Sequence, residues 1–69
     1  MAKPVDMAKR ALRVKDAANY LSVSPRTVRS LIQSGELPVV RLSENAHAPW
    51  LLDRQDLDDL VERRKEVLQ

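Results

Sequence analysis

Ser24-Pro25 at one end and Gly35 at the other punctuate residues 25–34 so strongly that little but a helix fits between them. A serine oxygen caps free amides at a helix start, and proline suits the first helical position, where its missing N–H costs nothing. Glycine just past the end accepts the left-handed conformation in which helices commonly stop. Between these signals Val28, Leu31 and Ile32 share one helical face and form its inner side. With Val28 as the inward direction, Arg26, Arg29, Ser30 and Gln33 project the other way. No acid stands anywhere between Pro25 and Ser34.

Upstream, Val14, Ala17, Ala18 and Leu21 share a second helical face, and Asp16 suits the positive end of that helix's dipole. The spacing predicts a helix over residues 15–21, broken by "SVS". Two helices joined by so short a turn, the second firmly capped, make a helix-turn-helix. In that motif the outward face of the second helix must suit base edges. Arginine holds guanine and glutamine holds adenine through paired hydrogen bonds, and short hydroxyls serve base or phosphate. Arg26, Arg29, Ser30 and Gln33 are therefore the candidate major-groove residues, on a helix expected over 25–34. Ser24, Pro25 and Thr27 at its start, with Lys15, are candidates for the sugar-phosphate chain. Lys9, Arg10 and Arg13 add salt-sensitive attraction from an N-terminal arm.

The charge balance agrees. Up to Ser34 there are seven Lys/Arg against two acids, and from Gly35 onward five against eight, within a net charge of +2. A basic half attracts polyanions, whereas the acidic half argues against uniform coating of nucleic acid. At 69 residues the chain supports one small domain with a modest core. It has no cysteine, which excludes disulfides, thiolate chemistry and cysteine-held zinc and fits a reducing cytoplasm. No apolar stretch approaches a membrane span, and the charged start does not read as a signal peptide, so a soluble protein is expected.

Residues 1–12 show no sustained period and read as a basic, partly disordered arm with a helical turn near Met7–Leu12. "LPVVRLS" reads as a strand, "ENAHAP" as a turn and "WLL" as the returning strand of a β-hairpin. Asp53 caps a last helix expected over 54–67, with acids early and Arg63, Arg64 and Lys65 late, as the dipole favours. Its inward stripe is Leu57, Leu60, Val61, Val67 and Leu68, with Arg64 the one polar interruption. The fold class is thus mainly α with a small β-hairpin.

Other residues read as structural. A single histidine, His47, is a poor metal site and fits an exposed loop. Trp50, on an apolar strand beside a capped helix, reads as core. Tyr20 packs at the edge of the first helix. The aspartates at 53, 56, 58 and 59 lack calcium-loop spacing and fit a helix start. No phosphate-binding loop, dinucleotide glycine pattern or nucleophile elbow is present, so neither catalysis nor a cofactor is expected.

The stretch "RVKDAANYLSVSPRTVRSLIQSGELPVVRL" resembles the excisionase branch of the MerR-like winged-helix family. The residues that carry the resemblance are Ala17, Ala18, Leu21, Val23, Ser24, Pro25, Thr27, Val28, Gly35, Leu37, Pro38 and Arg41, followed by Trp50, Asp53, Asp56 and Leu57. The resemblance implies a MerR-like winged helix-turn-helix over residues 13–69, with a wing over 39–52. It further implies a recombination directionality factor of a temperate phage or integrated element, at work in the cytoplasm of a bacterial host and nucleoid-associated when bound. Such a protein binds repeated sites on double-stranded DNA near attachment DNA, bends it, and helps a phage integrase favour excision. Self-association on DNA goes with that role, and the last helix, with Val67 and Leu68, is the candidate surface for neighbouring copies or the integrase. A small transcriptional regulator is the second reading, and an adaptor or antitoxin-like protein-interaction module the third. Ser22 stands where relatives often have glycine, so a differently shaped turn is expected. Leu51 and Leu52 replace basic residues on the returning strand, which leaves Arg41 and His47 as the wing's DNA candidates.

Overall fold

The computed structural model describes residues 9–68 and runs β1 (Ala11–Arg13), α1 (Val14–Leu21), α2 (Pro25–Gln33), β2 (Leu51–Asp53) and α3 (Arg54–Arg63). Three helices and a small antiparallel two-stranded element make a winged helix-turn-helix. Residues 1–8, including Lys3 and the start of the turn expected near Met7, lie outside the described residues.

The strand pairing differs from the expected hairpin. β2 pairs with β1, in the register Ala11↔Asp53, Leu12↔Leu52 and Arg13↔Leu51. The wing closes on one bridge, Val40 with Leu51, through hydrogen bonds of 2.7 and 3.1 Å. Leu51 is therefore flanked on both sides, and residues 41–50 form an irregular loop rather than a ladder. Leu12 is buried, so the packed chain begins before the residue 13 expected for it. The main-chain carbonyl of Arg10 also accepts the Arg54 N–H at 2.7 Å, which fastens this segment to the start of α3.

One core gathers every element: Leu12 from β1, Ala17 and Ala18 from α1, Val28 from α2, Leu37 from the following loop, Leu52 from β2, and Leu57 and Leu60 from α3. α2 rests chiefly on α1, where two alanines present little bulk between the helices. Val14, Tyr20, Leu21, Leu31 and Ile32 pack around this centre, half-buried. The Tyr20 hydroxyl donates to Asp58 at 2.5 Å and ties α1 to α3. That bond, which the neutral phenol alone can donate, together with partial burial, pushes the Tyr20 pKa above its usual value.

Three apolar expectations fail where the packed layers end: Trp50, Val61 at 45 % exposure, and the pair Val67 and Leu68. Trp50 is 38 % exposed, because the wing's pairing stops at Leu51, one residue short of it. α3 stops at Arg63 instead of 67, and Val67 and Leu68 are 90 % and 83 % exposed. Beyond Leu60 no further core layer exists among the described residues, and a helical stripe without a surface to cover gains little from continuing.

α1 and α2 end in the same way. After α1 the Ser22 N–H reaches the Asn19 carbonyl at 3.2 Å and the Val23 N–H reaches that of Ala18 at 2.9 Å. After α2 the Gly35 N–H reaches Ile32 at 3.1 Å and the Glu36 N–H reaches Leu31 at 3.0 Å. These paired bonds require a left-handed residue, which is Gly35 at φ 86° in the second case and Ser22 at φ 59° in the first. The turn therefore keeps the shape that glycine favours, and serine bears it. Replacing Ser22 with glycine relieves about 1–2 kcal/mol of left-handed strain against about 0.5–1 kcal/mol of added chain entropy. Ser22→Gly is expected to raise the melting temperature by a few degrees, roughly what a gain of that size gives in a small domain. A lower melting temperature would contradict this account of the turn.

Candidate nucleic-acid interface

α2 is built to present one face. The Ser24 hydroxyl oxygen accepts the Thr27 N–H at 3.2 Å and lies 3.0 Å from the Thr27 hydroxyl, and Pro25 occupies the first turn. Val28 is buried and Leu31 and Ile32 are half-buried, so the helix cannot roll without exposing them. Arg26, Arg29, Ser30 and Gln33 then fall within an arc of about 100° on the far side, and all four are exposed. Among the described residues neither Arg26 nor Arg29 has an ion-pair partner or a side-chain hydrogen bond. Their guanidinium donors face water and, among the described residues, are open to an outside acceptor.

The other candidates differ in how free they are. Lys15, Arg13 and Lys9 are exposed and unpaired among the described residues. Ser24 and Thr27 are exposed but engaged with each other at the helix start, while Pro25 is exposed beside them. Arg10 is engaged too: its Nε and Nη2 donate to the two Asp53 carboxylate oxygens at 3.2 and 3.0 Å. On the wing, Arg41 donates to the Asn45 carbonyl at 3.0 Å, which turns its guanidinium back on its own loop. His47 is exposed, with its main-chain N–H held by the Asn45 side chain at 2.9 Å. Among the described residues the α2 arginines are thus free, while Arg10 and Arg41 are occupied.

Much of the acidic charge in the C-terminal half is spent internally. Asp53 caps α3 by accepting the Gln55 N–H at 3.0 Å while it pairs with Arg10. Asp58 takes the Tyr20 hydroxyl, Asp59 the Gln55 side chain, Glu62 pairs with Lys65, and Glu36 pairs with Arg64 at 2.7 Å. The aspartates read as helix-start residues therefore do several structural jobs, of which capping is one. Among the described residues no three His, Cys, Asp or Glu side chains come together to hold a metal, and no helix is long and apolar enough to cross a membrane.

The Arg10 guanidinium, and secondarily the Gln55 N–H, hold the Asp53 carboxyl below the usual carboxylate range. A depressed folded-state pKa contributes stability that is present above the unfolded value and is lost as pH falls through the folded one. Arg10→Ala removes the larger cause, so acid unfolding is expected to begin at a higher pH than in the parent. Coincident acid-unfolding curves would show that the pair adds nothing.

The sequence did not reveal the partners of Arg64 and Arg63. Arg64 Nη1 bonds a Glu36 carboxylate oxygen at 2.7 Å, and Arg63 Nη2 reaches the Glu36 main-chain carbonyl at 3.1 Å. The signal was there, in the one charged residue interrupting the apolar stripe of α3.

No curated protein matches the chain. A family model described as a helix-turn-helix domain matches residues 11–65, from the first residue of β1 to just past the end of α3. With its two capped helices, buried inner face and free basic outer face, the chain belongs to this helix-turn-helix domain family.

Proposed function

We propose that this chain binds double-stranded DNA sequence-specifically with α2 in the major groove, and that it acts as an excisionase of the MerR-like type. The observation that carries the DNA reading is the exposed, acid-free face of α2, whose two arginines have no internal partner among the described residues. Arg26 and Arg29 read guanine edges, Gln33 reads adenine, and Ser30 serves either base or phosphate. The start of α2 at Ser24, Pro25 and Thr27 directs free amides at phosphate, while Lys15, Arg13 and Lys9 add attraction without sequence preference. Arg10 and Arg41 join only by leaving Asp53 and Asn45, so their share is smaller. The chain is no enzyme in this reading and needs no cofactor.

The excisionase role is supported by family membership, since the helix-turn-helix domain family includes excisionase-like DNA-binding proteins. The same role has the protein bend attachment-site DNA and turn a partner integrase toward excision. Val67 and Leu68, apolar and almost wholly exposed, support contact of the tail with the integrase or a neighbouring copy. Reconstituted recombination on attachment-site DNA with the cognate integrase tests the role. Added protein should raise excision and suppress integration. Unchanged yields of both, with DNA binding intact, would leave a transcriptional regulator as the better reading.

A further inference from the structure

A recognition helix must be held at a fixed angle as well as exposed, because base contacts tolerate little misplacement. α2 has one principal neighbour, α1, and a helix resting on one partner can pivot about that contact. Its C-terminal end carries a second attachment. Glu36 sits immediately after Gly35, and its N–H closes the end of α2 on the Leu31 carbonyl at 3.0 Å. The same carbonyl also accepts the Leu37 N–H at 3.1 Å, and the Leu37 side chain is buried in the core. Any displacement of Glu36 is therefore passed to the last turn of α2, which carries Gln33 and lies one turn from Arg29.

Both arginines at the end of α3 converge on this residue: Arg64 on the Glu36 carboxylate at 2.7 Å and Arg63 on its carbonyl at 3.1 Å. The second carboxylate oxygen of Glu36 is buried and has no hydrogen-bond partner. A half-satisfied buried carboxylate is a cost that folded proteins rarely carry without a compensating role. The Arg64 side chain is 65 % exposed, so the ion pair adds little to overall stability. Its effect lies in geometry.

We infer that Glu36, Arg63 and Arg64 form a clamp between the end of the recognition helix and the end of α3 that sets the reading angle of α2. They are positioning residues for DNA recognition, and Arg63 and Arg64, though basic, are not phosphate contacts. The inference rests on the DNA-binding reading proposed above.

The test uses the full chain, a duplex that the parent protein has selected from a random library, and a scrambled duplex of equal length. Glu36→Ala and Arg64→Ala are each measured by fluorescence anisotropy at a temperature where circular dichroism shows both variants fully folded. Each should bind the selected duplex about tenfold more weakly, the equivalent of one misaligned base contact. Binding to the scrambled duplex should stay within about twofold of the parent, since phosphate attraction does not depend on the angle. The Arg64→Ala salt dependence should keep the parental slope, and the double variant should be no worse than either single one, as expected for two halves of one contact. Arg64→Lys, which retains the charge, should recover part of the loss.

Three results would overturn the clamp. A salt slope shallower by about one unit in Arg64→Ala would make Arg64 a phosphate contact. Tighter binding by Glu36→Ala on both duplexes would make Glu36 a mere repulsive charge. Parental affinity in both variants would make the pair a surface ornament. A parent protein that selects no duplex at all would instead remove the DNA reading, and the clamp with it.

Discussion

Replacing Arg26 and Arg29 together with alanine is expected to abolish discrimination between the selected duplex and a scrambled one. Each arginine that holds a base bidentately contributes about 1–3 kcal/mol to specific binding, so the pair accounts for on the order of a hundredfold or more in affinity. Both side chains are exposed and unpaired among the described residues, so the melting temperature should stay at the parental value. Loss of discrimination with unchanged folding, read by anisotropy and thermal melts on the same samples, separates a reading face from a solvated one. A double variant that still discriminates like the parent would mean that the bases are read from another surface.

The second large effect falls on the core. Leu57 is fully buried where α3 meets the rest of the domain, and truncating such a leucine to alanine costs about 2–5 kcal/mol. A domain of this length has only a few kcal/mol of stability in all, roughly 0.05–0.15 kcal/mol per residue. Leu57→Ala should therefore be largely unfolded at 37 °C, with its helical circular dichroism lost and DNA binding lost with it. Leu42, 82 % exposed on the wing, is the matched control, and Leu42→Ala should melt with the parent. A folded Leu57→Ala would mean that the core lies elsewhere.

Legibility followed the range of the interactions involved. The ends of α2 were legible because capping is local: Ser24, Pro25 and Gly35 do at close range what their residue types favour. The exposed face of α2 was legible for the same reason, since the helical repeat alone separates buried Val28 from exposed Arg26 and Arg29. β1 was not, because three residues acquire a strand only from a partner some forty positions away. The freedom of a charge is likewise a tertiary property. Arg10 looked like Arg13 and Lys15 until Asp53 was found beside it.

The misreadings share a cause as well. Trp50 was read as core and Val61, Val67 and Leu68 as an inward stripe, but burial needs a facing layer, and the domain ends before reaching them. At Ser22 the residue type argued against a left-handed turn. The paired hydrogen bonds that end α1 and the packing of α1 on α2 together outweighed roughly 1–2 kcal/mol of local strain. Arg64 shows the opposite lesson: an interruption in an apolar stripe marked a side chain with a partner, and that partner was Glu36.

This small domain is proposed to hold duplex DNA through a basic face that no acid among the described residues neutralises. Titrating a fluorescently labelled duplex with the protein at a series of salt concentrations tests this most directly. Genuine phosphate neutralisation predicts a straight fall of log affinity against log salt, with a slope of about −0.9 for each phosphate neutralised. With Lys9, Arg13 and Lys15 adding their charge to that of the α2 arginines, a slope corresponding to several phosphates is the expected result. An affinity that does not change with salt would contradict the account and leave the basic face to some other partner.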